Sequence, residues 1–395
     1  MLQSFFNGLS GLLSFSRGLQ TVSDNVANMN TPGFRGRDTF FRSIESGNSE
    51  SGYGTTVTNG GTRSTPGKLQ QTGSSTDLAL VGNGFFVLRD DQGQLHYTRD
   101  GEFQFNEKHI LVDKNTKYQV MALNTSGQLA SIDINAVYTK PPEATTKVTL
   151  AGILSSAQSP KSVTSIVVYD RLGGAHTLSM TLTDVSTTTP NTWNVSITNS
   201  TGTVISAPGS AIAFDPSNKP LPPKNQVTAT ISVGGINQNI IFDFGSSSSA
   251  QATQWQAAAP ASASDAIAAT VTDGHATVGI TDLTFDQNGL LTLTYSNGDK
   301  DKNAKVAVAS FADESELVYE SGSMYQATKT NAAKYGYAAE SEYGKIQSKS
   351  RELSNVDLTQ EFADMLIIQR GYQASSRVMS VSNDMIEQLY RANGG

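Results

Sequence analysis

The run LTQEFADMLIIQRGYQASSRVMSVSNDMIEQLY, residues 358–390, repeats at alternating steps of three and four: Leu358, Phe362, Met365, Gln369, Tyr372, Ser376, Met379, Asn383, Ile386 and Tyr390. Such spacing lines a heptad seam along one helical face. The opposite end of the chain, MLQSFFNGLSGLLSFSRGLQTVSDNVANMN (residues 1–30), carries the same steps in Leu2, Phe5, Leu9, Leu12, Ser16, Leu19, Ser23, Val26 and Asn30. In each seam one row stays apolar (Phe5, Leu12, Leu19, Val26; Leu358, Met365, Tyr372, Met379, Ile386), and the other turns polar part of the way along. A polar residue at a seam position sacrifices stability and fixes register and partner choice, which suits a coiled coil whose packing is completed by other subunits. The spacing therefore predicts that residues 1–30 and 355–395 form one helical domain. Two terminal helices packed on an ordinary core satisfy the same periodicity.

The stretch between these ends is β in character. Only 16% of the 395 residues are charged and 35 are Gly, a composition of short strands, turns and a weakly charged surface. The predicted fold is mainly β with terminal α-helices, two β-rich domains being nested between the paired ends. A net charge of −7 and the lack of any Lys/Arg cluster exclude a phosphate-binding stripe, so nucleic acid is not an expected partner. Without cysteine, disulfides, thiolate metal sites and a thiol nucleophile are excluded as well. No run approaches the roughly 20 apolar residues of a membrane span. The N-terminus lacks a positive residue before Arg17 and is interrupted by Asn7, Ser10, Ser14 and Ser16, unlike a signal peptide, so any export is expected by another route.

Along the chain, Asn28, Asn30, Pro32 and Gly33 end the first helix. Residues 31–70, rich in Gly, Ser and Thr, read as an extended connector without a core of its own. A first β domain is expected over 71–144 and 280–354; its opening strands, Asp77–Val81 and Phe85–Leu88, flank a tight Gly82-Asn83-Gly84 turn. Pro141-Pro142 introduces a second β domain, 145–279, punctuated as in a sandwich or barrel. Within it, the Ser/Ala/Gln-rich tract Ser246 to Ala269 reads as a surface excursion. Ser354 or Asn355 can cap the last helix, with Asp357 near the positive end of its dipole. Gly371 sits mid-helix, at a cost of about 1 kcal/mol relative to Ala, where close helix packing is a reason.

Chemistry-bearing patterns are lacking. His96, His109, His176 and His275 are widely spaced and in no ligand motif. Asp299-Lys300-Asp301-Lys302-Asn303 alternates oxygen ligands like a calcium loop, but Ala304 replaces the required Gly and Ser310 the bidentate Glu; a polar turn after Asn297-Gly298 is the better reading. Gly82-Asn83-Gly84 lacks the rest of a phosphate cradle. Asp90-Asp91 reads as a solvated turn, a glycosidase pair requiring a second acid that spacing does not supply. No catalytic, cofactor-binding or metal-ligating residue is expected.

Several motifs resemble those of the bacterial flagellar axial proteins, the rod and hook subunits. They are Asn25-Val26-Ala27-Asn28 with Thr31-Pro32-Gly33-Phe34-Arg35; Asp77–Leu80 with Gly82-Asn83-Gly84-Phe85-Phe86; Tyr97-Thr98-Arg99-Asp100-Gly101; and Ser354-Asn355-Val356-Asp357-Leu358. The stretch Val168-Tyr169-Asp170-Arg171-Leu172-Gly173-Gly174-Ala175-His176-Thr177-Leu178 is similar to a hook-domain motif absent from the shorter rod subunits. Thr31-Pro32-Gly33 is closer to the rod version, and Gln347 to Arg351 lacks the glycine usual before the last helix. The resemblance implies a non-enzymatic subunit of a helical tube, a universal joint between rod and filament in the extracellular flagellar hook. Implied partners are copies of itself, the distal rod, hook cap and hook–filament junction proteins, and the flagellar type III export apparatus. A distal rod subunit, or a secreted β-rich carbohydrate-active protein or adhesin, is the alternative.

Overall fold

In the computed structural model the described residues are 2–44, 54–124, 126–155, 159–246, 253–256, 267–313, 316–329, 332–340 and 342–393. They form a mostly β chain with two long helices, α1 (Leu2–Ala27) and α2 (Leu358–Asn393), at its ends. The chain divides into two compact units. One comprises Met1–Ala136, Thr281–Thr294 and Lys300–Gly395, and the other Val137–Ile280 and Tyr295–Asp299. The helices and the first β block thus share one unit.

In the first unit, Phe85–Arg89 lies at the centre of a ten-stranded sheet, pairing with Leu95–Thr98, Gln119–Leu123 and Ala307–Phe311. Its residues read as a near-continuous apolar run because both faces are covered: Phe85, Phe86, Val87 and Leu88 are all buried. Leu78–Val81 pairs instead with Lys345–Ser348 in a separate sheet. The Gly82-Asn83-Gly84 turn therefore carries the chain from one sheet to another and does not close a hairpin, both glycines having φ near +110°. A Cβ on Gly84 would lie 2.6 Å from Val308, so the turn is also tightly packed.

The connector expected over 31–70 docks on α1 and contains a hairpin that the sequence did not announce. Arg37–Ser43 (β1) and Thr55–Thr62 (β2) pair antiparallel as a hairpin on α1, with residues 45–53 outside the described residues. Two serines of α1 tether it: Ser14 Oγ donates to Thr55 O (2.9 Å) and Thr55 N–H donates to Ser10 Oγ (3.1 Å). Phe41 packs against Phe15 with ring centroids 5.1 Å apart and the planes tilted by 47°. The hairpin escaped a sequence reading because its Thr/Asn/Gly strands lack alternation and depend on the helix beneath for burial.

The second unit is a two-sheet sandwich. Lys161–Tyr169, Ala175–Asp184, Thr192–Thr198 and Ala211–Ala213 form one sheet; Gln226–Val233, Ile236–Asp243 and Lys147–Ser155 form the framework of the other. Inward residues of both, including Trp193, Leu178, Met180, Val148, Ile240 and Phe242, make a single core. The tract Ser246 to Ala269 is corrected where it is described: Gln254–Gln256 and Ile267–Val271 both add to the Lys147–Ser155 strand. Residues 247–252 and 257–266 lie outside the described residues. At Asn297-Gly298 the chain makes a polar turn, Gly298 having φ +89° and Asn297 Nδ2 donating to Asp299 Oδ2.

Candidate assembly surface and its supports

Where α1 ends, Asn25 is nearly fully buried and its amide matches the backbone of β1. Nδ2 donates to Arg37 O (2.9 Å) and Oδ1 accepts from Arg37 N–H (3.0 Å). Nδ2 also meets Glu361 Oε2 at 3.1 Å; the fully buried Glu361 carboxylate is paired with Arg63 Nη1 at 2.7 Å. This knot joins α1, α2 and the hairpin, and a charge so buried is tolerated only with such partners. Asn28 closes the helix, Nδ2 donating to Asp24 O, and Oδ1 accepting from Thr31 Oγ1. Gly33 follows with φ +67°, where a Cβ would stand 2.3 Å from Asp100 N. Its N–H donates to Glu352 O, and Phe34 is buried edge-on to Tyr319.

Asn355 is not the cap of α2. Its Oδ1 accepts from Gly36 N–H (2.7 Å) and its Nδ2 donates to Thr65 O (2.7 Å), bridging the two chain ends. The cap is Asp357, whose Oδ1 accepts from Thr359 N–H at 2.8 Å. In the second unit Asp170 organises the Arg171–Gly174 turn: Oδ1 accepts from Leu172 and Gly174 N–H, and Oδ2 meets His176 Nε2 at 2.8 Å. His176 and the backbone donors hold the Asp170 carboxyl below the usual range. Gly173, φ +86°, lies against Pro142. These motif residues are turn and junction devices.

Arg99 is completely buried, its Nε on Glu352 Oε2 (2.9 Å), Nη1 on Gly84 O (2.6 Å) and Nη2 on Leu80 O (3.0 Å). Adjacent Asp100 is also buried, and its carboxyl is pushed up to about 7, first by burial and then by the Asp113 and Glu102 charges. Because the folded chain binds this proton more tightly than the unfolded chain, stability is highest below about pH 4 for this group. It declines as pH rises to about 7 and then levels off, a loss on the order of 4 kcal/mol. Asp100→Asn retains an acceptor for Glu102 N–H. The variant is expected to melt higher than wild type at pH 8 and alike at pH 4; parallel melting curves across that range would refute the assignment.

The two helices approach each other through small residues of α1, with Met379 of the seam beside Gly8. The side of α1 turned inward is Gly8, Gly11, Ser14, Gly18, Val22 and Asn25. A Cβ on Gly11 would lie 2.7 Å from Ser375 Oγ, and one on Gly371 2.5 Å from the Phe15 ring, so both glycines permit the approach. Of the seam residues, Phe5, Leu12, Leu19, Val26, Leu358, Met365 and Met379 are half-buried, while Leu9, Phe362, Tyr372 and Ile386 are exposed. The side chain of Leu2 lies outside the described residues. Phe6, Leu13, Leu366, Ile367, Val378, Val381, Met385, Leu389 and Tyr390 add to the uncovered apolar surface, Ile367 at 67% exposure. Such an extent on two adjoining helices marks an interaction face. Sequence periodicity missed it because small residues carry no apolar signal, yet they decide which side faces inward.

Four family models match in the order expected of rod and hook subunits. Residues 6–35 match the flagella basal body rod protein, 79–152 the flagellar hook protein FlgE/F/G D1 domain, 154–250 the flagellar basal body protein FlaE D2 domain, and 347–392 the flagellar basal body rod FlgEFG protein C-terminal. The chain belongs to the flagellar hook protein family. Family relatives align end to end: flagellar hook protein FlgE of Borreliella burgdorferi is 27% identical over 99% of both chains. That of Salmonella typhimurium is 27% identical over 98% of this chain and 99% of its own. That of Brucella suis is 28% identical over 97% and 96%. The crystal structure of Helicobacter pylori flagellar hook protein FlgE2 superposes with a TM-score of 0.44 and 13% identity, covering 71% of this chain and 99% of that one. Members of this family are structural, which implies no catalytic role.

Proposed function

We propose that this chain is the structural subunit of the bacterial flagellar hook, polymerising into a helical tube that serves as a flexible universal joint between rod and filament. End-to-end similarity to hook proteins carries the reading, and the uncovered apolar faces of α1 and α2 supply the physical means. The seam residues that the monomer leaves open, Leu9, Phe362, Tyr372 and Ile386, are covered by neighbouring copies. Copies joined by non-closing, head-to-tail contacts extend into an open helix. The second β unit, proposed over 145–279, is a weakly charged outer domain that slides past its neighbours as the tube bends. The distal rod, hook cap and hook–filament junction proteins bound the tube, and the subunit reaches the cell exterior through the type III export apparatus. Relatives aligned over nearly the whole chain are hook proteins, so a distal rod subunit or a carbohydrate-active protein is not favoured.

Electron microscopy of the concentrated protein tests the proposal. Hollow, curved tubes are expected; straight rods would indicate the rod alternative, and monodisperse particles at every concentration would overturn both.

A further inference from the structure

Along α2 runs a groove of about 630 Å³ floored by Ala374, Val378, Val381 and Met385, rimmed by Arg370 and Arg377, and closed at one side by Ser4 of α1. Its size falls within the ~300–1,000 Å³ of ligand pockets. Apart from that rim and Ser4, the lining is apolar except for Gln373 and the buried Ser382, which suits apolar side chains of another protein more than a small polar ligand. On α1, Phe6, Leu9 and Leu13 form a ridge at 57%, 36% and 58% exposure. They lie at steps of three and four, the anchor spacing by which a helix enters a groove. This ridge does not fill its own chain's groove, because α1 turns Gly8 and Gly11 toward α2.

We propose that the ridge Phe6–Leu9–Leu13 of one copy seats in the α2 groove of a second copy. The proposal rests on the assembly reading above and names the contact that carries it. Three features select this occupant. Residues 1–16 contain no ionisable side chain, so burying the ridge desolvates no charge. The arginine stems can lie along the apolar ridge with their charged heads in water. At 1.5 Å per residue the ridge spans about 10 Å and the groove floor, from residue 374 to 385, about 16 Å, so the ridge fits within it. Ridge and groove lie on different helices of every copy, so the contact can be made head to tail, and it extends into an open helix where the rotation between copies does not close.

The chain has no cysteine, so each introduced thiol is unique. Leu13→Cys protein mixed with Val381→Cys protein at assembly concentration is expected to give an intermolecular cross-link with a short bismaleimide. Leu13→Cys mixed with Leu366→Cys, also on α2 but away from the groove lining, is expected to give only background. Ala374→Phe, filling the groove at an exposed position, is expected to raise the assembly concentration at least tenfold with unchanged monomer melting. Tubes that form without the specific cross-link, or that tolerate Ala374→Phe, overturn the contact and keep the hook reading. A specific cross-link without tubes keeps the contact and overturns the hook reading, and absence of both overturns both.

Discussion

Ser376→Pro is expected to raise the concentration needed for assembly by roughly a hundredfold while leaving the melting of the β units almost unchanged. Ser376 is exposed in the middle of α2, one position beyond Ser375, against which Gly11 packs. Proline there removes a backbone donor and clashes with the preceding turn, costing about 3 kcal/mol or more. In an assembly held together by its helices, every subunit entering the tube bears this penalty. At 1.4 kcal/mol per factor of ten, that is about two decades in association. If the helix pair instead served only to stabilise the monomer, the same substitution would lower the monomer's melting temperature. Melting and polymerisation measured side by side, with Lys302→Ala as surface control, separate these outcomes. Normal tubes at the wild-type concentration would remove α2 from the assembly mechanism.

The second large effect is expected at Arg99. Removing one partner of a fully buried ion pair leaves the other charge uncompensated, at a cost of about 3–5 kcal/mol. Arg99→Met would strand the Glu352 carboxylate and the carbonyls of Gly84 and Leu80. For a unit of this size the loss corresponds to a melting decrease of about 10 °C. Glu352→Leu combined with Arg99→Met is expected to recover part of that loss, since two well-packed apolar groups restore neutrality. Recovery is incomplete because Glu352 Oε1 also accepts from Gly67 N–H. A melting change under 2 °C for Arg99→Met would show that the pair contributes little.

Periodicity and turn chemistry, local properties of the chain, made much of this protein legible. The steps of three and four in residues 1–30 and 355–390 announced both helices, and α1 and α2 occupy those ends. Gly82-Asn83-Gly84 marked a tight turn, and both of its glycines adopt positive φ. Strand-forming runs between Pro141 and Gly279 became a sandwich whose inward residues alternate as a pleated surface requires. Asn25, Asn28, Gly33, Asn355 and Asp357, read from the sequence only as motifs of a resemblance, lie in the structure around the junction of the two ends.

What remained hidden depends on residues far apart in sequence. The amide of Asn25 and the carboxylate of Glu361 are 336 positions apart, and Arg99 and Glu352 are 253 apart. Only the folded chain brings either pair together. The same holds for the inward side of α1: a heptad count weights Leu and Phe, whereas close approach to α2 is decided by Gly8, Gly11 and Gly18, which have nothing to place between the backbones. The sequence by itself therefore determined that the ends are helical and the middle is β, because those preferences act within a few residues. Which helix faces are spent within the subunit, and which stay open for a neighbour, was decided only by tertiary structure, because that choice depends on the shape of the opposing surface.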